Sequence, residues 1–294
     1  MTQDSNQAKK IAIYGSRTQT DYLEDLPRLF KFLSEAGFYV YIHPRLASYL
    51  EENNVDTYWA IPSKFIPQGV SLLLSLGGDG TFLRAAHWSG TKEIPILGVN
   101  TGHLGFLSTC TLPETEEMIS DFLAGNVRLE KRMLLEVSSP HIPEEPWRYA
   151  LNEISLMRSG SSMLNVNATI NDSFLAQYRG DGLIISTPTG STAYSLSAGG
   201  PVIEPTIDCM CLCPVAPHTL TLRPLVAGAG SVIKLSPESR ESNFILSIDD
   251  RSMILPAAGE FVVRKAPFSA IVVKKMKEGF PDILREKLLW SATP

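Results

Sequence analysis

The run LLLSLGGDGTFLRAA, at residues 72–86, constrains the fold more than any other part of the sequence. The segment 70–76 is short, apolar and without alternation, which is typical of a strand buried on both faces of a parallel sheet. The glycines that follow allow a sharp exit at the carboxyl end of such a strand. Thr81 is expected to cap a helix through residues 82–87. The run therefore predicts a strand, a glycine turn and a helix of an α/β sheet.

Asp79 is the unusual residue of this turn. The amides at a helix start attract phosphate, and glycines let phosphate approach closely, but a carboxylate repels it. An acid is useful there if it organises a metal ion or accepts the proton of a hydroxyl that attacks phosphorus, and this favours a kinase. The alternative is a tight turn in which Asp79 only accepts backbone amides. Because the run matches neither the P-loop nor the GxGxxG fingerprint, we expect phosphates to be held in another way.

Length and charge narrow the class of protein. A chain of 294 residues with 44% hydrophobic and 19% charged content is long enough for one large or two medium domains, and we expect two. The 31 acidic and 26 basic residues give a formal charge of −5 without a basic block, so neither a nucleic-acid nor a membrane partner is expected. No apolar run approaches bilayer length and the first ten residues are mostly polar, which predicts a cytoplasmic protein.

Cysteine and histidine spacing gives no metal signature. Three of the four cysteines alternate along CMCLC at residues 209–213, which places them on one face of a strand as small, reduced, apolar side chains. The five histidines form no pair at metal-ligand spacing, so no metal-ligating residue is predicted. His103, in the glycine loop at 100–105, is a candidate base, although a structural role is commoner for a single histidine.

The first part of the chain alternates between strand and helix patterns, which indicates a Rossmann-like α/β domain, assigned to residues 1–128. In a parallel sheet the two glycine loops, at 77–80 and 100–105, both lie at the carboxyl edge, where open α/β sheets bind ligands. We therefore expect them to form one cleft. The predicted strands are residues 11–14, 38–42, 70–76 and 94–99, and the predicted helices are 22–36 and 113–124, with a helical or irregular stretch at 46–59.

From Glu130 the pattern changes to many short strands, which indicates an antiparallel sandwich or layered β domain, assigned to residues 129–274. Asn171 and Asp172 are a typical hairpin turn. A helical pattern at 282–289 lies in a tail, residues 275–294, that is expected to pack on the first domain. The predicted strands are residues 134–138, 149–156, 164–170, 173–178, 183–186, 231–235, 244–248 and 260–263.

Two segments of the β domain carry unusual chemistry. Asn152 and Glu153 interrupt an apolar strand, where they need partners, and a ligand and a structural hydrogen-bond network are both open. Residues 179–200 hold seven Ser and Thr hydroxyls and Tyr194, which suits a nucleoside because base edges need uncharged donors and acceptors and rings stack. Arg179 is a candidate for phosphate and Asp181 for a carboxamide donor. The alternative for this segment is a plain surface loop.

Four segments together resemble one family. LGGDGT at 76–81, GVNTGHLGFL at 98–107, Asn152-Glu153, and DGLIISTPTGSTAY at 181–194 occur in the order and approximate spacing of the ATP-dependent NAD kinases, and the chain resembles a bacterial member. The resemblance implies a Rossmann-like domain, a C-terminal β domain and a returning tail. It also implies transfer of the γ-phosphoryl group of ATP to the 2′-hydroxyl of the adenosine ribose of NAD, giving NADP and ADP, with a divalent ion such as Mg²⁺.

The same resemblance assigns roles to residues. It implies that Asp79 is the general base for the ribose hydroxyl and that Asn152 and Glu153 hold the adenosine. The family is commonly dimeric or tetrameric with NAD sites shared between subunits, so the corner at residues 179–181 is expected to serve the site of a partner. The substrate-binding residues implied are Gly80, Arg84, Asn152, Glu153, Arg179, Asp181, Thr189, Thr192, Ala193, Tyr194, Ser195, Leu196 and Ser197.

One segment departs from the family pattern, and two other functions stay open. Asp249-Asp250-Arg251 stands where many members have Asp-Gly-Gln, so no ligand role is carried over to Arg251. A diacylglycerol- or sphingosine-type lipid kinase shares the glycine turn but needs an apolar slot, whereas residues 187–197 are crowded with hydroxyls. A non-catalytic NAD(P)-binding regulator needs no acid in the turn, and the intact Asp79 argues against it.

Overall fold

The structure is a computed structural model that describes residues 9–15, 23–102, 105–143 and 148–290. The chain divides into two compact units, one of Met1–Lys131 with Ala270–Pro294 and the other of Arg132–Ser269. The boundaries predicted from the sequence lie after residues 128 and 274. His103, the candidate base of the second glycine loop, lies outside the described residues.

The first unit is a parallel sheet with helices. Its neighbouring strands pair in parallel in the order β3-β2-β1-β4-β5, which confirms the predicted Rossmann-like architecture. In chain order its elements are β1 (Lys9–Gly15), α1 (Leu26–Glu35), β2 (Phe38–Ile42), α2 (Pro44–Glu52), β3 (Ala60–Pro62), β4 (Val70–Leu76), α3 (Asp79–Ser89), a 3₁₀ turn (Gly90–Lys92), β5 (Pro95–Asn100), β6 (Cys110–Thr111) and α4 (Thr115–Ala124).

Helix ends in this unit follow local backbone chemistry. α1 begins at Leu26, later than the predicted residue 22, with Pro27 in its first turn, where a missing N–H costs no hydrogen bond. It ends before Gly37, which has a φ of +76°. α4 begins at Thr115, not at residue 113, and ends before Gly125, which has the same φ. The helix in the stretch 46–59 is α2, and it begins earlier, at Pro44.

The second unit is built almost entirely from strands. β7 and β18 each cross a boundary between the units, and the last helix, α6 (Phe280–Leu288), follows β18. In chain order the elements are β7 (Val127–Ser138), β8 (Tyr149–Ala150), β9 (Glu153–Arg158), β10 (Leu164–Ile170), β11 (Ser173–Gly180), β12 (Gly182–Ser186), a 3₁₀ turn (Thr189–Thr192), α5 (Tyr194–Ser197), β13 (Cys209–Val215), β14 (Leu225–Gly228), β15 (Ile233–Glu238), β16 (Asn243–Ile248), β17 (Arg251–Pro256) and β18 (Phe261–Lys275).

These strands form two antiparallel sheets around one core, which confirms the predicted sandwich-like domain. One is the antiparallel part, β11-β10-β15-β18, of a larger sheet that continues from β18 to β5, and the other is a separate sheet in the order β14-β13-β12-β9-β16-β17. Val166 from the first sheet and Leu183 and Phe244 from the second belong to one fully buried apolar cluster. Asn171 and Asp172 form the turn between β10 and β11, with φ values of +51° and +64°, as predicted.

The cysteines pack as predicted. Cys209, Cys211 and Cys213 are buried on one face of β13, in a cluster with Ile184 and Ile203, and none of them forms a disulfide. Burial raises the pKa of Cys211 to about 11, so its thiol stays protonated near neutral pH. These side chains therefore serve as small apolar groups of the core.

Several strand predictions differ from the structure. The predicted strand 134–138 begins earlier, as β7 at Val127, and the predicted strand 231–235 is β15, Ile233–Glu238. The predicted strand 149–156 is two strands, β8 and β9, because the backbone bends at Leu151 and Asn152 to meet a buried carboxylate, Asp249. The predicted strand 260–263 continues as β18 to Lys275. Its end pairs in parallel with β5, through Ile271 and Val272, so the C-terminal part of the chain belongs to the first unit, as predicted. Across the described ranges no helix has the length and apolar character that crossing a bilayer requires.

Candidate active site

The turn after β4 places Asp79 at the first position of a helix. Gly77 has a φ of +149°, which favours glycine, and its N–H donates to Val99 O at 2.9 Å. Gly78 is extended and caps α3, and the Thr81 N–H donates to Gly78 O at 2.9 Å. The predicted cap at Thr81 is therefore wrong: the three glycines turn the chain in fewer residues, and Thr81 lies buried in the first helical turn.

The carboxylate of Asp79 bonds to residues at the end of the second glycine loop, and residues 105–109 are called the second loop from here on. The Phe106 N–H donates to Asp79 Oδ2 and the Leu107 N–H donates to Asp79 Oδ1, both at 3.0 Å. A Cβ atom on Gly105 would lie 2.0 Å from Asp79 Oδ1, so this close approach requires glycine. Asp79 thus accepts backbone amides, as the alternative interpretation of the turn expected. These amides belong to the second loop, however, and not to the turn itself.

The second loop is held in place by hydrogen bonds to the end of β18. The Thr109 N–H donates to Gly98 O at 2.8 Å and the Thr109 hydroxyl donates to Val273 O at 2.6 Å. Lys274 is fully buried, and its Nζ lies 3.4 Å from Phe106 O and 3.3 Å from Ser108 O. The loop that holds Asp79 is therefore itself held by two residues that lie more than 160 positions further along the chain.

Gly80 and Arg84 lie on the same side of α3, one helical turn apart. Gly80 is exposed, and a guanidinium nitrogen of Arg84 lies 3.8 Å from the point where a Cβ of residue 80 would stand. The guanidinium therefore lies over the glycine that follows the acid. This places a permanent positive charge beside the start of the helix, where it favours bound phosphate.

In the second unit, Asp249 shapes the segment that carries Asn152 and Glu153. Its Oδ2 accepts the Leu151 N–H at 2.9 Å, and its Oδ1 accepts the N–H groups of Asn152 and Glu153 at 2.8 and 3.2 Å. Burial raises the pKa of Asp249 to about 6, against the lowering effect of the three amides. The structural network left open for Asn152 and Glu153 thus exists, but it uses their backbone and leaves the side chains available.

The Glu153 side chain has an unusual environment. Its Oε2 is buried and has no hydrogen-bond partner among the described residues, and the same holds for Ser186 Oγ. Glu153 and Ser186 are directly opposite each other on β9 and β12, so their side chains share one face of the sheet. Burial, together with the nearby Asp249 carboxylate, raises the pKa of Glu153 to about 8. A polar ligand group would satisfy both atoms.

The hydroxyl-rich segment packs tightly against Asn152. The Thr187 N–H donates to Asn152 O at 2.8 Å and the Thr187 hydroxyl donates to Leu151 O at 2.6 Å. A Cβ on Gly190 would lie 2.1 Å from Asn152 O, so the close approach again requires glycine. Arg132, which is buried, donates to Thr189 Oγ1 at 3.4 Å. The alternative of a plain surface loop is therefore wrong for residues 187–191, which are all buried.

The last part of this segment is more open. Thr192 and Ala193 are half-buried, and the Tyr194 ring is 42% exposed at the start of α5. Ser195 is fully buried with an Oγ that lacks a hydrogen-bond partner among the described residues, whereas Ser197 is exposed and Leu196 half-buried. The structure thus presents an aromatic face and several polar groups along a short stretch of chain.

Arg179 and Asp181 lie away from this cluster. They precede β12, whereas Thr187 follows it, so the length of the strand, roughly 20 Å, separates them from Asn152 and Thr189. Arg179 is exposed, and Asp181 pairs with Arg158 at 2.8 Å. Within one chain, the structure brings together Asn152, Glu153 and the hydroxyl segment, but not the corner at residues 179–181.

Sequence reasoning missed three residues of these clusters: Asp249, Arg132 and Lys274. Asp249 bonds to residues that lie 96–98 positions away, and nothing local to it reveals that contact. Arg132 and Lys274 are charged side chains in strands, and such residues are expected at the surface rather than buried. Among the described residues, no group of three or more His, Cys, Asp or Glu side chains is arranged to hold a metal ion.

The fold and the two clusters define a class: a two-unit nucleotide-binding protein with a single acid at a parallel-strand turn. Residues 19–127 match the model of the ATP-NAD kinase N-terminal domain, and residues 151–275 match that of the ATP-NAD kinase C-terminal domain. The chain is 41% identical over 287 residues to the NAD kinase of Porphyromonas gingivalis, covering 97% of this chain and 99% of that protein. It is 39% identical to the NAD kinase of Bacteroides fragilis, covering 96% and 98%.

Solved structures agree. The crystal structure of yeast NADH kinase in complex with NADH has a TM-score of 0.85 and 25% identity, covering 99% of this chain and 90% of that one. An Archaeoglobus fulgidus NAD kinase in complex with ATP has the same fold, with a TM-score of 0.73 and 24% identity, covering 95% and 97%. The chain belongs to the ATP-NAD kinase family. Its reaction is the transfer of the γ-phosphoryl group of ATP to the 2′-hydroxyl of the adenosine ribose of NAD, giving NADP and ADP.

Proposed function

We propose that Asp79 is the general base of this reaction. The observation that carries the proposal is the binding of both carboxylate oxygens, each by one backbone amide of the second glycine loop. An ionised carboxylate accepts about four hydrogen bonds, so two amides fix its orientation and leave sites for a ribose hydroxyl. A fixed acceptor within hydrogen-bond reach of the hydroxyl takes its proton as the oxygen attacks phosphorus. Arg84 and the start of α3 add the positive charge that phosphate needs.

NAD is held, in this proposal, by the polar groups of the second unit. Glu153 Oε2 and Ser186 Oγ, which are buried and unpartnered among the described residues, bond to hydroxyl or amide groups of the adenosine part. Asn152 contributes its amide, and the exposed ring of Tyr194 stacks on the ligand. The remaining contacts come from the candidate residues Gly80, Thr189, Thr192, Ala193, Ser195, Leu196 and Ser197.

The divalent ion of the reaction fits a site completed by the substrate. Mg²⁺ in kinase sites is usually held by one or two carboxylates together with substrate phosphates and water, not by an all-protein cage. The described residues offer no such cage, and Asp79 supplies a carboxylate within the glycine turn itself. When bound, the ion neutralises charge on the transferred phosphoryl group.

The oligomeric state is part of the proposal. Arg179 and Asp181 lie a strand length from Asn152. This distance supports a role for both residues in the NAD site of a second subunit, in a homodimer or homotetramer. In that arrangement Arg179 and Asp181 contact NAD across the subunit interface. The cytoplasmic location, and the domain boundaries after residues 128 and 274, stay predictions.

A coupled assay for NADP, run with NAD and ATP in the presence and absence of Mg²⁺, tests the proposed role of the divalent ion. We expect NADP formation with Mg²⁺ and its loss when the ion is chelated, because the transferred group then keeps its unshielded charge. The control replaces NAD with diacylglycerol or sphingosine under the same conditions. No phosphorylation of the lipid is expected, and NADP formation at an unchanged rate after chelation would contradict the proposed role of the ion.

A further inference from the structure

One peptide group links two side chains of opposite charge. The Leu107 N–H donates to Asp79 Oδ1 at 3.0 Å, and the carbonyl of the same peptide, on Phe106, lies 3.4 Å from Lys274 Nζ. The N–H and C=O of a trans peptide point in opposite directions within one plane. A group that fixes the carbonyl therefore also fixes the N–H. The ammonium therefore contacts one edge of the peptide group, and the carboxylate contacts the opposite edge.

Lys274 is an unexpected residue at this position because it is fully buried. Burying an ammonium is costly before its contacts are counted, and an apolar side chain of similar size fills the same space without that cost. The Lys274 ammonium lies within hydrogen-bond reach of two carbonyl oxygens of one loop, Phe106 O and Ser108 O. The buried charge is therefore directed at the loop that binds Asp79.

The path of the loop has supports that do not involve Lys274. Thr109 bonds to Gly98 O through its N–H and to Val273 O through its hydroxyl, and a Cβ at Gly98 would lie 2.6 Å from Leu107 O. These contacts fix where the loop runs. The carbonyl of the peptide between Phe106 and Leu107 lies 3.4 Å from the Lys274 ammonium, so the tilt of this peptide is open to the influence of Lys274.

We propose that Lys274 is a positioning residue for Asp79, acting through the Phe106–Leu107 peptide. The ammonium holds and polarises the carbonyl, which strengthens the N–H as a donor and keeps the Asp79 carboxylate in the orientation that accepts the ribose proton. This inference rests on the proposed role of Asp79 as the base. Lys274 thus acts on Asp79 through the peptide that lies between them.

A double-mutant cycle tests the proposal, with Lys274→Met and Asp79→Asn made singly and together. We expect Lys274→Met alone to lower kcat about 10- to 10²-fold with a change in KM for NAD of less than about 3-fold, since misplacing a catalytic group by about 1 Å costs this much. In the Asp79→Asn background the same change should lower the residual kcat less than about 2-fold, because the group that it positions is gone.

Lys275→Met is the matched control. Lys275 is the next residue of β18, and it pairs with Glu114 at 2.9 Å on the partly exposed side of the strand. This variant removes the same charge from the same strand without touching the loop, and its kcat should equal that of the unchanged protein in both backgrounds. Thermal unfolding of each variant shows whether it is folded.

The outcomes separate this inference from the proposed function. Equal losses of kcat from Lys274→Met in both backgrounds would overturn the positioning role and leave the base role intact. Turnover near the unchanged level in Asp79→Asn alone would overturn the base role, and the inference with it. Should Lys274→Met not fold, Lys274→Gln, whose amide still donates to carbonyls, enters the same cycle, with an expected loss of about 3- to 10-fold that must again vanish without Asp79.

Discussion

Asp79→Asn is expected to lower turnover about 10²-fold or more while NAD binding stays measurable, because removal of a general base typically has an effect of this size. Asparagine keeps the size of the side chain and one oxygen acceptor, so one of the two loop amides retains its partner. What it loses is the ability to take a proton. The measurements are kcat from the coupled assay and NAD affinity from calorimetry, on the same preparation.

The control for this variant is Asp121→Asn, on α4 of the same unit. This substitution removes one carboxylate at a position outside the glycine turn, and we expect the kcat of the variant to equal that of the unchanged protein. Near-normal turnover in Asp79→Asn would rule out the base role. A loss of NAD binding as large as the loss of turnover would mean that Asp79 binds the substrate and does not act on it chemically.

The second large effect concerns the pH dependence of stability at Glu153. Its pKa in the folded protein is about 8, against an ordinary value of 4.5, so between these pH values the folded state holds a proton that the unfolded state has lost. Stability therefore falls as pH rises through this window, by on the order of 3–5 kcal/mol in total. The cause is burial of the carboxyl beside Asp249, whose own pKa is raised to about 6 and which titrates together with it.

Glu153→Gln removes this penalty because glutamine does not ionise. We expect the variant and the unchanged protein to have similar free energies of unfolding at pH 5, and the variant to be more stable by several kcal/mol at pH 9. Urea denaturation at pH 5, 7 and 9 measures the difference. The exposed Glu204 supplies the control, Glu204→Gln, which should leave the pH dependence as it is. A difference between Glu153→Gln and the unchanged protein that stays constant with pH would contradict the account.

The parts of the fold that could be predicted are those set by local burial. β4 has the predicted bounds because seven residues without alternation suit only a strand covered on both faces. β10 also has its predicted bounds, because its alternating apolar residues face one core. The Asn171-Asp172 turn could also be predicted from the sequence, because these residues tolerate positive φ. In each case the determining physics acts within a few residues of sequence.

The parts that could not be predicted depend on contacts between distant residues. The break between β8 and β9 is caused by Asp249, which lies far along the chain. The start of α3 at Asp79 depends on the backbone conformations of the three glycines of the turn. Lys274 reads as a surface residue because lysine is rarely buried. The candidate acid was found from its motif, but the two amides that hold it, and the ammonium behind them, were visible only in the structure.

The central claim is that the Asp79 carboxylate receives the proton of the ribose 2′-hydroxyl. The most direct measurement is a crystal structure of the protein with NAD bound, from which the distance between the 2′ oxygen and the nearer Asp79 oxygen is read. The account predicts a separation of about 2.6–3.2 Å, with the Leu107 amide still bonded to the carboxylate. A ribose lodged out of hydrogen-bond reach of Asp79, with no water joining the two, would contradict it.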